Sequence, residues 1–269
     1  MIRTENLIND KVWKRMKERY GDNGENPRLK YCPFQKYAKS YYSQNGEEGI
    51  LEFIFEKIGM TNKHCVEFGA GDGVTISNTY YFHQKYGFIR TLIEGNKHTL
   101  SQKRTSELFV ESLVTSDNIN TLIEHVPDTY DLLSIDIDGD DYWVWKNMKK
   151  KARVVILEYH AGIPNDIPVA IIESKGEVNS QNFAGPQGMT FNGYYGANLK
   201  AFYRLAEELG YKFVTTISDN AIFVLKSEFK KLDIYPIDEH TCMENFFNPV
   251  EYWSVTHRDR NNNEWVILQ

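Results

Sequence analysis

The sequence predicts an α/β fold, a three-layer sandwich in which a mostly parallel seven-stranded sheet ends in an antiparallel hairpin. Short apolar runs alternate with helical segments between residues 47 and 159, at the spacing typical of parallel strands joined by crossover helices. Two later apolar runs, 211–218 and 221–226, flank Asp219-Asn220, a pair typical of a tight turn. These runs therefore predict the hairpin.

The individual elements follow from periodicity and from glycine stops. Residues 47–58 place their apolar side chains on one helical stripe, and Gly59 ends this helix. After an irregular stretch at 160–195, a helix keeps Leu199, Phe202 and Leu209 in register and stops at Gly210. The other predicted elements are strands at 64–69, 88–94, 108–114, 131–138 and 153–159, and helices at 77–86, 118–126 and 142–150.

Charge and composition exclude several classes of function. The net charge of -6 is the opposite of what a nucleic-acid-binding face requires, and the one dense basic run, 146–153, is interpreted as a solvated helix end. Three scattered cysteines form no disulfide or metal motif, and no apolar run is long enough to span a membrane. We therefore expect a cytoplasmic protein with a small-molecule partner; a homo-oligomer stays open.

A glycine-rich turn follows the first strand of the predicted sheet. It runs Glu67-Phe68-Gly69-Ala70-Gly71-Asp72-Gly73, a GxGxG spacing that differs from the GxGxxG of dinucleotide sites. Glycines let the backbone approach a ligand at the carboxyl end of a strand. S-adenosylmethionine has no pyrophosphate but carries an ammonium group, and Glu67 can offer that group a carboxylate.

The next two strands also end in polar residues. Glu94 lies 23 residues beyond Gly71, where an acid can accept hydrogen bonds from both ribose hydroxyls of a nucleoside. The third strand is followed by Thr115-Ser116-Asp117-Asn118, which is placed to bind an adenine edge. Together with the glycine turn, these residues predict a nucleoside-containing cofactor.

These segments resemble class I S-adenosylmethionine-dependent methyltransferases, specifically the FkbM-like subgroup. The resemblance covers residues 40 to 228 and rests on VEFGAGDG, LIEGN, TSDN, DLLSIDIDGDDYWVW, SQNGEEG (43–49), SNT (77–79) and YYGANLKAFYRLAEELGY (194–211). It implies a Rossmann-like fold and methylation of a hydroxyl on a sugar or nucleotide-linked sugar in surface glycan biosynthesis. The residues that it implies to contact the cofactor are Glu67, Gly69, Gly71, Asp72, Glu94 and Asn118, with Gln44 and Asn78 framing the pocket. Asp136, at the end of the fourth strand, is a further candidate for cofactor binding.

The resemblance also suggests a division of the chain. Residues 1–40 form an N-terminal lead-in, 41–228 the methyltransferase domain and 229–269 a C-terminal extension. Within the domain, the long stretch 160–195 is expected to cover the methyl-transfer site and to set substrate choice, since loops of this length in a compact domain are usually functional.

Acidic residues mark the ends of the fourth and fifth strands. Side chains alternate along a strand, so Asp136 shares a side with Asp138, and Glu158 shares a side with His160. Because these strands are expected to be neighbours, about 4.8 Å apart, the four groups should converge. Asp138, Glu158 and His160 are the candidate catalytic residues.

Two mechanisms suit such a cluster. Mutual repulsion can raise one pKa and produce a general base, or Mg²⁺ or Mn²⁺ bound by Asp136, Asp138, Glu158 and His160 can polarise the acceptor hydroxyl. Some sugar O-methyltransferases that resemble this family hold a metal with aspartates here, whereas this chain has Glu158-Tyr159-His160. Asp140 or Asp141 is expected to cap the following helix.

Two other functions are compatible with the same pattern. An NAD(P)-dependent oxidoreductase is disfavoured by the GxGxG spacing and by the terminal hairpin. A non-catalytic nucleotide-binding module is disfavoured by the acidic cluster, because buried like charges are costly without a purpose.

Overall fold

The computed structural model describes residues 2–3, 34–95, 108–161, 163, 165–175, 195–245 and 264–268. The strands are β1 (Ile2–Arg3), β2 (His64–Phe68), β3 (Ile89–Glu94), β4 (Leu108–Glu111), β5 (Thr129–Ile135), β6 (Lys151–Glu158), β7 (Val169–Ile171), β8 (Tyr211–Ile217), β9 (Asn220–Leu225) and β10 (Glu264–Ile267). The helices are α1 (Glu47–Ile58), α2 (Tyr80–Tyr86), α3 (Ile119–Leu122), α4 (Asp141–Asn147), α5 (Leu199–Leu209), α6 (Lys226–Phe229) and α7 (Glu239–Asn245), with 3₁₀ turns at Gln35–Tyr37 and Lys230–Leu232.

The main sheet has seven strands in the order β4-β3-β2-β5-β6-β9-β8. The strands from β4 to β6 run parallel, whereas β9 is antiparallel to both β6 and β8. The predicted mostly parallel seven-stranded sheet with a terminal hairpin is therefore confirmed. The strand order reverses between β2 and β5, and in open α/β sheets ligands bind at the carboxyl ends of the strands beside such a reversal.

Helices cover both faces of this sheet, as side-chain alternation along β6 shows. Val154 and Ile156 pack with apolar residues of α1, α2 and α6, whereas Val155 and Leu157 pack with those of α3, α4 and α5. All four side chains are fully buried. Burial on both faces explains why β6 is a continuous apolar run rather than an alternating one.

Several predicted boundaries are wrong by a few residues. The strand β5 stops at Ile135 rather than at 138, and Asp138 has a left-handed φ of 53°, which excludes it from a strand. Helix α2 begins at Tyr80 rather than at Ser77, since Ser77 and the Asn78 backbone bind the Glu67 carboxylate instead. Helix α3 is one turn long, shorter than the predicted 118–126.

The basic run 146–153 is a solvated helix end only in its first part, where Lys146 and Lys149 are exposed. Helix α4 stops at Asn147, and the last residues of the run belong to β6. Arg153 is only 3% exposed and donates hydrogen bonds to Asp131 at 2.8 Å and to Glu228 at 3.0 Å. Its charge is neutralised by acids that lie far away in sequence, which periodicity does not indicate.

One strand of a second, small sheet, β7, lies inside the stretch 160–195 that the sequence predicts to be irregular. Strand β7 pairs antiparallel with β10, which pairs in turn with β1, so both outer segments of the chain reach this sheet. A three-residue strand is too short to show a period, and its partners are remote in sequence. Residues 176–194, and residues 4–33 of the N-terminal lead-in, lie outside the described residues. The proposed division of the chain into three segments stays a prediction.

Candidate active site

The glycine turn passes closely beneath the end of β5. Gly69 has a φ of 69°, and a Cβ on it would lie 1.6 Å from the carbonyl oxygen of Asp136. No other residue fits this contact, because an L side chain would meet both the backbone oxygen and an unfavourable φ. The turn and the first acidic residue of the neighbouring loop are therefore held against each other.

Glu94 is fixed against the same turn. Gly71 donates its N–H to Glu94 Oε2 at 2.8 Å, and the Glu94 side chain remains partly exposed at the carboxyl end of β3. The carboxylate that the sequence assigns to ribose recognition thus sits beside the glycine backbone. This arrangement is compatible with the ribose recognition that the sequence predicts for Glu94, which stays a prediction.

Glu67 is buried, and its carboxylate is bound by other groups of the protein. Only 4% of the residue is exposed, and its carboxylate accepts hydrogen bonds from Ser77 Oγ at 2.7 Å, Asn78 N at 2.8 Å and Thr79 Oγ1 at 2.6 Å. Arg90, also buried, donates to the same carboxylate at 3.2 Å. These contacts give Glu67 a role in holding the loop before α2; its contact with a cofactor ammonium group stays a prediction.

Asp72 and Asn78 also shape this loop. The Asp72 carboxylate accepts hydrogen bonds from the backbone N–H groups of Val74 and Thr75, at 2.8 Å and 2.7 Å. Asn78 is buried and donates its side-chain amide to Ser134 Oγ at 3.1 Å. Both residues connect the glycine turn to its surroundings, which is compatible with the framing role expected for Asn78.

The predicted adenine loop follows β4. Asn118 accepts a hydrogen bond from Thr115 N at 2.8 Å and donates one to Leu113 O at 2.8 Å, so its side chain closes the loop. Ser116 Oγ donates to the carboxylate of Glu173, which comes from the segment after β7. Gln44, expected to frame the pocket, is exposed just before α1.

Three predicted carboxylates meet beyond the ends of β5 and β6. Ligand oxygens of Asp136, Asp138 and Glu158 all lie within 4.8 Å of one another. Asp136 is exposed, and the other two are partly buried. Asp141 holds the intervening loop bent, because its carboxylate accepts hydrogen bonds from Ile137 N and Gly139 N, both at 3.0 Å.

The expected cap of helix α4 is not formed by either candidate. Asp140 stands at the N-cap position but makes no side-chain hydrogen bond to the helix, and its carboxylate binds Ser174. Asp141 reaches back to the loop before the helix. Both carboxylates accept hydrogen bonds from residues outside helix α4, so the prediction that one of them caps the helix is wrong.

His160 does not join the three carboxylates. Its ring is buried, with 4% of the residue exposed, and stacks on Tyr195 with ring centroids 4.1 Å apart. Strand β6 ends at Glu158, so the alternation that placed His160 beside Glu158 stops before it. The structure therefore brings Asp136, Asp138 and Glu158 together, with His160 outside the group.

A fourth acid, Asp219, faces this group and is not among the predicted site residues. It lies in the turn between β8 and β9, and its carbonyl oxygen accepts the Tyr159 N–H at 2.8 Å. Since β9 runs antiparallel to β6 with Asn220 opposite Glu158, the turn reaches the carboxyl end of β6. The sequence feature that could have indicated Asp219 is its position in the turn of the predicted terminal hairpin.

The electrostatics of the cluster favour proton uptake. Loss of hydration, and then the charges of neighbouring acids, raises the pKa of Asp136 and of Glu158 well above the usual range. Asp136 is accessible to solvent, but the surrounding protein displaces much of its water shell. Loss of hydration also raises the pKa of Asp138, and it raises that of Asp141 to about 6. The group can therefore accept a proton or bind a cation.

The comparisons with known proteins are remote. No protein-family model matches the sequence, and no curated protein sequence matches it. The plantazolicin methyltransferase BamL, solved in complex with a triazolic desmethylPZN analog and SAH, is 14% identical, with a TM-score of 0.41 over 82% of this chain and 77% of that one. The CurJ carbon methyltransferase is 12% identical, with a TM-score of 0.42 over 81% and 70%.

A SAM-dependent methyltransferase from Archaeoglobus fulgidus is 10% identical, with a TM-score of 0.36 over 76% of this chain and 88% of that one. Similarities at this level assign neither a substrate nor a reaction to the chain. No helix in the described ranges is long and apolar enough to cross a membrane.

Proposed function

We propose that this chain is an S-adenosylmethionine-dependent methyltransferase. The observation that carries the proposal is the Glu94 carboxylate, held at 2.8 Å by the N–H of Gly71 in the glycine turn. It stands at the carboxyl edge of the sheet, close to where the strand order reverses. An acid in this place accepts hydrogen bonds from the two ribose hydroxyls of a nucleoside cofactor.

The path of the chain after the turn supports this cofactor over a dinucleotide. A pyrophosphate is bound by a helix N-terminus that directly follows the glycine loop. Here α2 starts only at Tyr80, several residues after Gly73, and Glu67 occupies the intervening loop with its hydrogen bonds. The antiparallel β9 also departs from the parallel sixth strand of dinucleotide-binding sheets.

The acidic group beyond β5 and β6 supplies the chemistry. In O-methylation the acceptor oxygen bonds to the methyl carbon as the carbon–sulfur bond breaks, which leaves S-adenosylhomocysteine, and the hydroxyl proton must go to a base. Asp138 and Glu158, with raised pKa values, are suited to take that proton.

A divalent cation is the alternative use of the same oxygens. Asp136, Asp138 and Glu158 would hold Mg²⁺ or Mn²⁺, which prefer carboxylate ligands and would make the acceptor hydroxyl more acidic. The two mechanisms differ in their response to a chelator. Activity that is lost with a chelator and restored by Mg²⁺ or Mn²⁺ supports the cation, and indifference supports a carboxylate base.

Ligand-dependent stabilisation separates the candidate functions. We expect S-adenosylmethionine and S-adenosylhomocysteine, at about 100 times their Kd, to stabilise the protein by about 2.7 kcal/mol, whereas NAD and NADP leave it unchanged. Stabilisation by NAD or NADP alone would instead indicate an oxidoreductase. No response to any of the four would favour a non-catalytic module.

For the acceptor we propose a hydroxyl on a sugar or nucleotide-linked sugar used in surface glycan biosynthesis. The resemblance to FkbM-like enzymes and the polar reacting end support this class. Incubation with labelled S-adenosylmethionine and a panel of phosphorylated and nucleotide-linked sugars should transfer label to one of them, as read by mass spectrometry. Label found only in protein or nucleic acid would refute the proposed acceptor.

A further inference from the structure

We infer that Asp140 and Ser174 are positioning residues that hold the segment 172–174 across the loops following β4 and β5, and that this strap keeps the cofactor loop and the acidic loop in register. The inference rests on the proposed function, because it assigns a role to residues that contact the loops of the same proposed site. Neither residue is among those predicted for the site.

The first link joins the strap to the acidic loop. Asp140 is 4% exposed, and its carboxylate accepts hydrogen bonds from Ser174 N at 2.9 Å and from Ser174 Oγ at 2.7 Å. A buried carboxylate is costly unless its partners are well placed, and this one leaves its own helix uncapped to reach Ser174. The contact thus ties the loop that carries Asp138 to a segment outside the main sheet.

The second link joins the adjoining strap residue to the cofactor loop. Glu173 accepts a hydrogen bond from Ser116 Oγ, in the loop predicted to bind adenine. Two consecutive residues, Glu173 and Ser174, therefore bind one residue in each of two loops at the carboxyl edge of the sheet. A shift of the strap would move both contacts together.

The strap is itself anchored on its N-terminal side. Trp143 of α4 donates its indole N–H to Ile171 O at 3.0 Å, and Ile171 N donates to Gly196 O at 3.0 Å. Gly196 N donates in turn to Gly139 O at 3.1 Å, inside the acidic loop. Strand β7 thus holds one end of the strap, and the Asp140–Ser174 pair holds the other.

The chemistry explains why such a connection matters. Methyl transfer needs the sulfonium, the methyl group and the acceptor oxygen in line, and small displacements of either partner are costly. One partner is expected between the glycine turn and the loop containing Ser116, and the other at Asp138 and Glu158. A single strap bound to both loops fixes the distance between them.

The test compares Ser174→Ala, Ser174→Thr, Asp140→Asn and Asp140→Ala with Ser227→Ala, which alters an exposed serine on α6. Amide hydrogen exchange of the cofactor-free protein and calorimetric titration with S-adenosylhomocysteine are measured for each. We expect Asp140→Ala and Ser174→Ala to speed exchange in both 172–174 and 115–118 and to weaken binding about tenfold. Ser174→Thr, which keeps the hydroxyl, and Ser227→Ala should match the parent protein.

The outcomes separate this inference from the proposed function. Faster exchange confined to 172–174, with residues 115–118 and the affinity unchanged, would overturn the strap's positioning role. A parent protein that binds no S-adenosylhomocysteine would refute the proposed function, whereas the exchange comparison would still decide the link between the loops. If Asp140→Ala fails to fold, Asp140→Asn and Ser174→Ala provide the same comparison, since each removes only part of the contact.

Discussion

At the scale of single residues, Glu94 is the side chain on which the proposed cofactor site most depends. Its Oε2 accepts a hydrogen bond from Gly71 N–H, and the side chain remains partly exposed. Replacing it with alanine should weaken binding of S-adenosylmethionine by about 2–3 kcal/mol, the scale for hydrogen bonds to a charged group. Calorimetry measures this directly.

The companion variant Glu94→Gln keeps an oxygen for Gly71 but loses the charge, so its loss of affinity should be smaller. Glu124→Gln, on an exposed acid, is the matched control. If folded Glu94→Ala bound the cofactor as tightly as the parent, the assignment of Glu94 to the ribose would be wrong.

Asp138 is the residue on which the proposed methyl-transfer step most depends. Asp138→Asn keeps the shape of the side chain but removes its charge and basicity. Turnover on the identified acceptor should fall by about 10²-fold or more, the contribution typical of a general base, while cofactor affinity changes little. Steady-state kinetics and calorimetry on the same preparation separate these two effects.

Asp128→Asn is a suitable control for this change, because the Asp128 side chain is fully exposed. Parent-like turnover in Asp138→Asn and in Glu158→Gln would remove the acidic group from the mechanism. A loss of turnover accompanied by an equal loss of cofactor affinity would place Asp138 in cofactor binding instead.

At the scale of elements, the turn after β2 depends on a close backbone approach. In Gly69→Ala the new Cβ would meet the Asp136 carbonyl oxygen at 1.6 Å, and the residue would also hold a φ of 69°. In Gly210→Ala the φ of 85° is similarly unfavourable, but nothing lies within 4 Å of the new Cβ. The control thus isolates backbone strain from the clash.

We expect Gly210→Ala to lower the free energy of unfolding by about 1–2 kcal/mol, the cost of left-handed backbone for an L-residue. Gly69→Ala should lose clearly more, by a further 1–3 kcal/mol or so from overpacking, and should also weaken cofactor binding. Chemical denaturation of the two variants measures the difference. Equal losses would show that the close approach carries no energetic weight.

The strand ends show how far sequence periodicity predicts a site. The predicted grouping of Asp136, Asp138 and Glu158 agrees with their ligand oxygens, which lie within 4.8 Å of one another, although Asp136 and Asp138 lie in the loop beyond β5 rather than on an extended strand. Alternation failed for His160, because β6 ends at Glu158 and the chain then turns toward Tyr195. The rule holds only while the backbone stays extended, and the end of that extension depends on remote contacts such as the one between Tyr159 N and Asp219 O.

At the scale of the whole molecule, a buried ion network ties the sheet to its helices. Arg153 of β6 binds Asp131 of β5 at 2.8 Å and Glu228 of α6 at 3.0 Å, and it donates to Ile58 O and Gly59 O at the end of α1. Removing one partner leaves a buried charge incompletely compensated. Asp131→Asn should therefore lower the free energy of unfolding by about 3 kcal/mol or more at neutral pH.

The pH dependence of this loss provides a second check. Burial raises the pKa of Asp131, but hydrogen bonds from Arg153 and Thr61 outweigh it and lower the pKa below its usual value. Stability from this carboxylate is thus present above the unfolded-state pKa, about 3.9, and is lost as pH falls through the lower folded-state value. The difference between parent and Asp131→Asn should shrink below about pH 4.

The exposed neighbour Asp128 supplies the control for this experiment too. Asp128→Asn should change the unfolding free energy by less than about 0.5 kcal/mol at every pH, because solvent screens its interaction with Lys150. A similar small effect for Asp131→Asn, or a difference from the parent that does not vary with pH, would contradict the role assigned to the network.

The sequence by itself determined the layers, the order of the main elements and the polar strand ends, because helical periodicity, apolar runs and glycine stops are local properties of the chain. The tertiary structure alone decided which of those polar and charged groups are held by internal hydrogen bonds and ion pairs. It paired Glu67 with Arg90, Arg153 with Asp131, and Asp140 with Ser174, and it brought Asp219 to the carboxyl end of β6. Each of these contacts joins residues that are distant in sequence. The partner of a buried charge is therefore set by the packing of the elements, and the spacing of residues along the chain does not predict it.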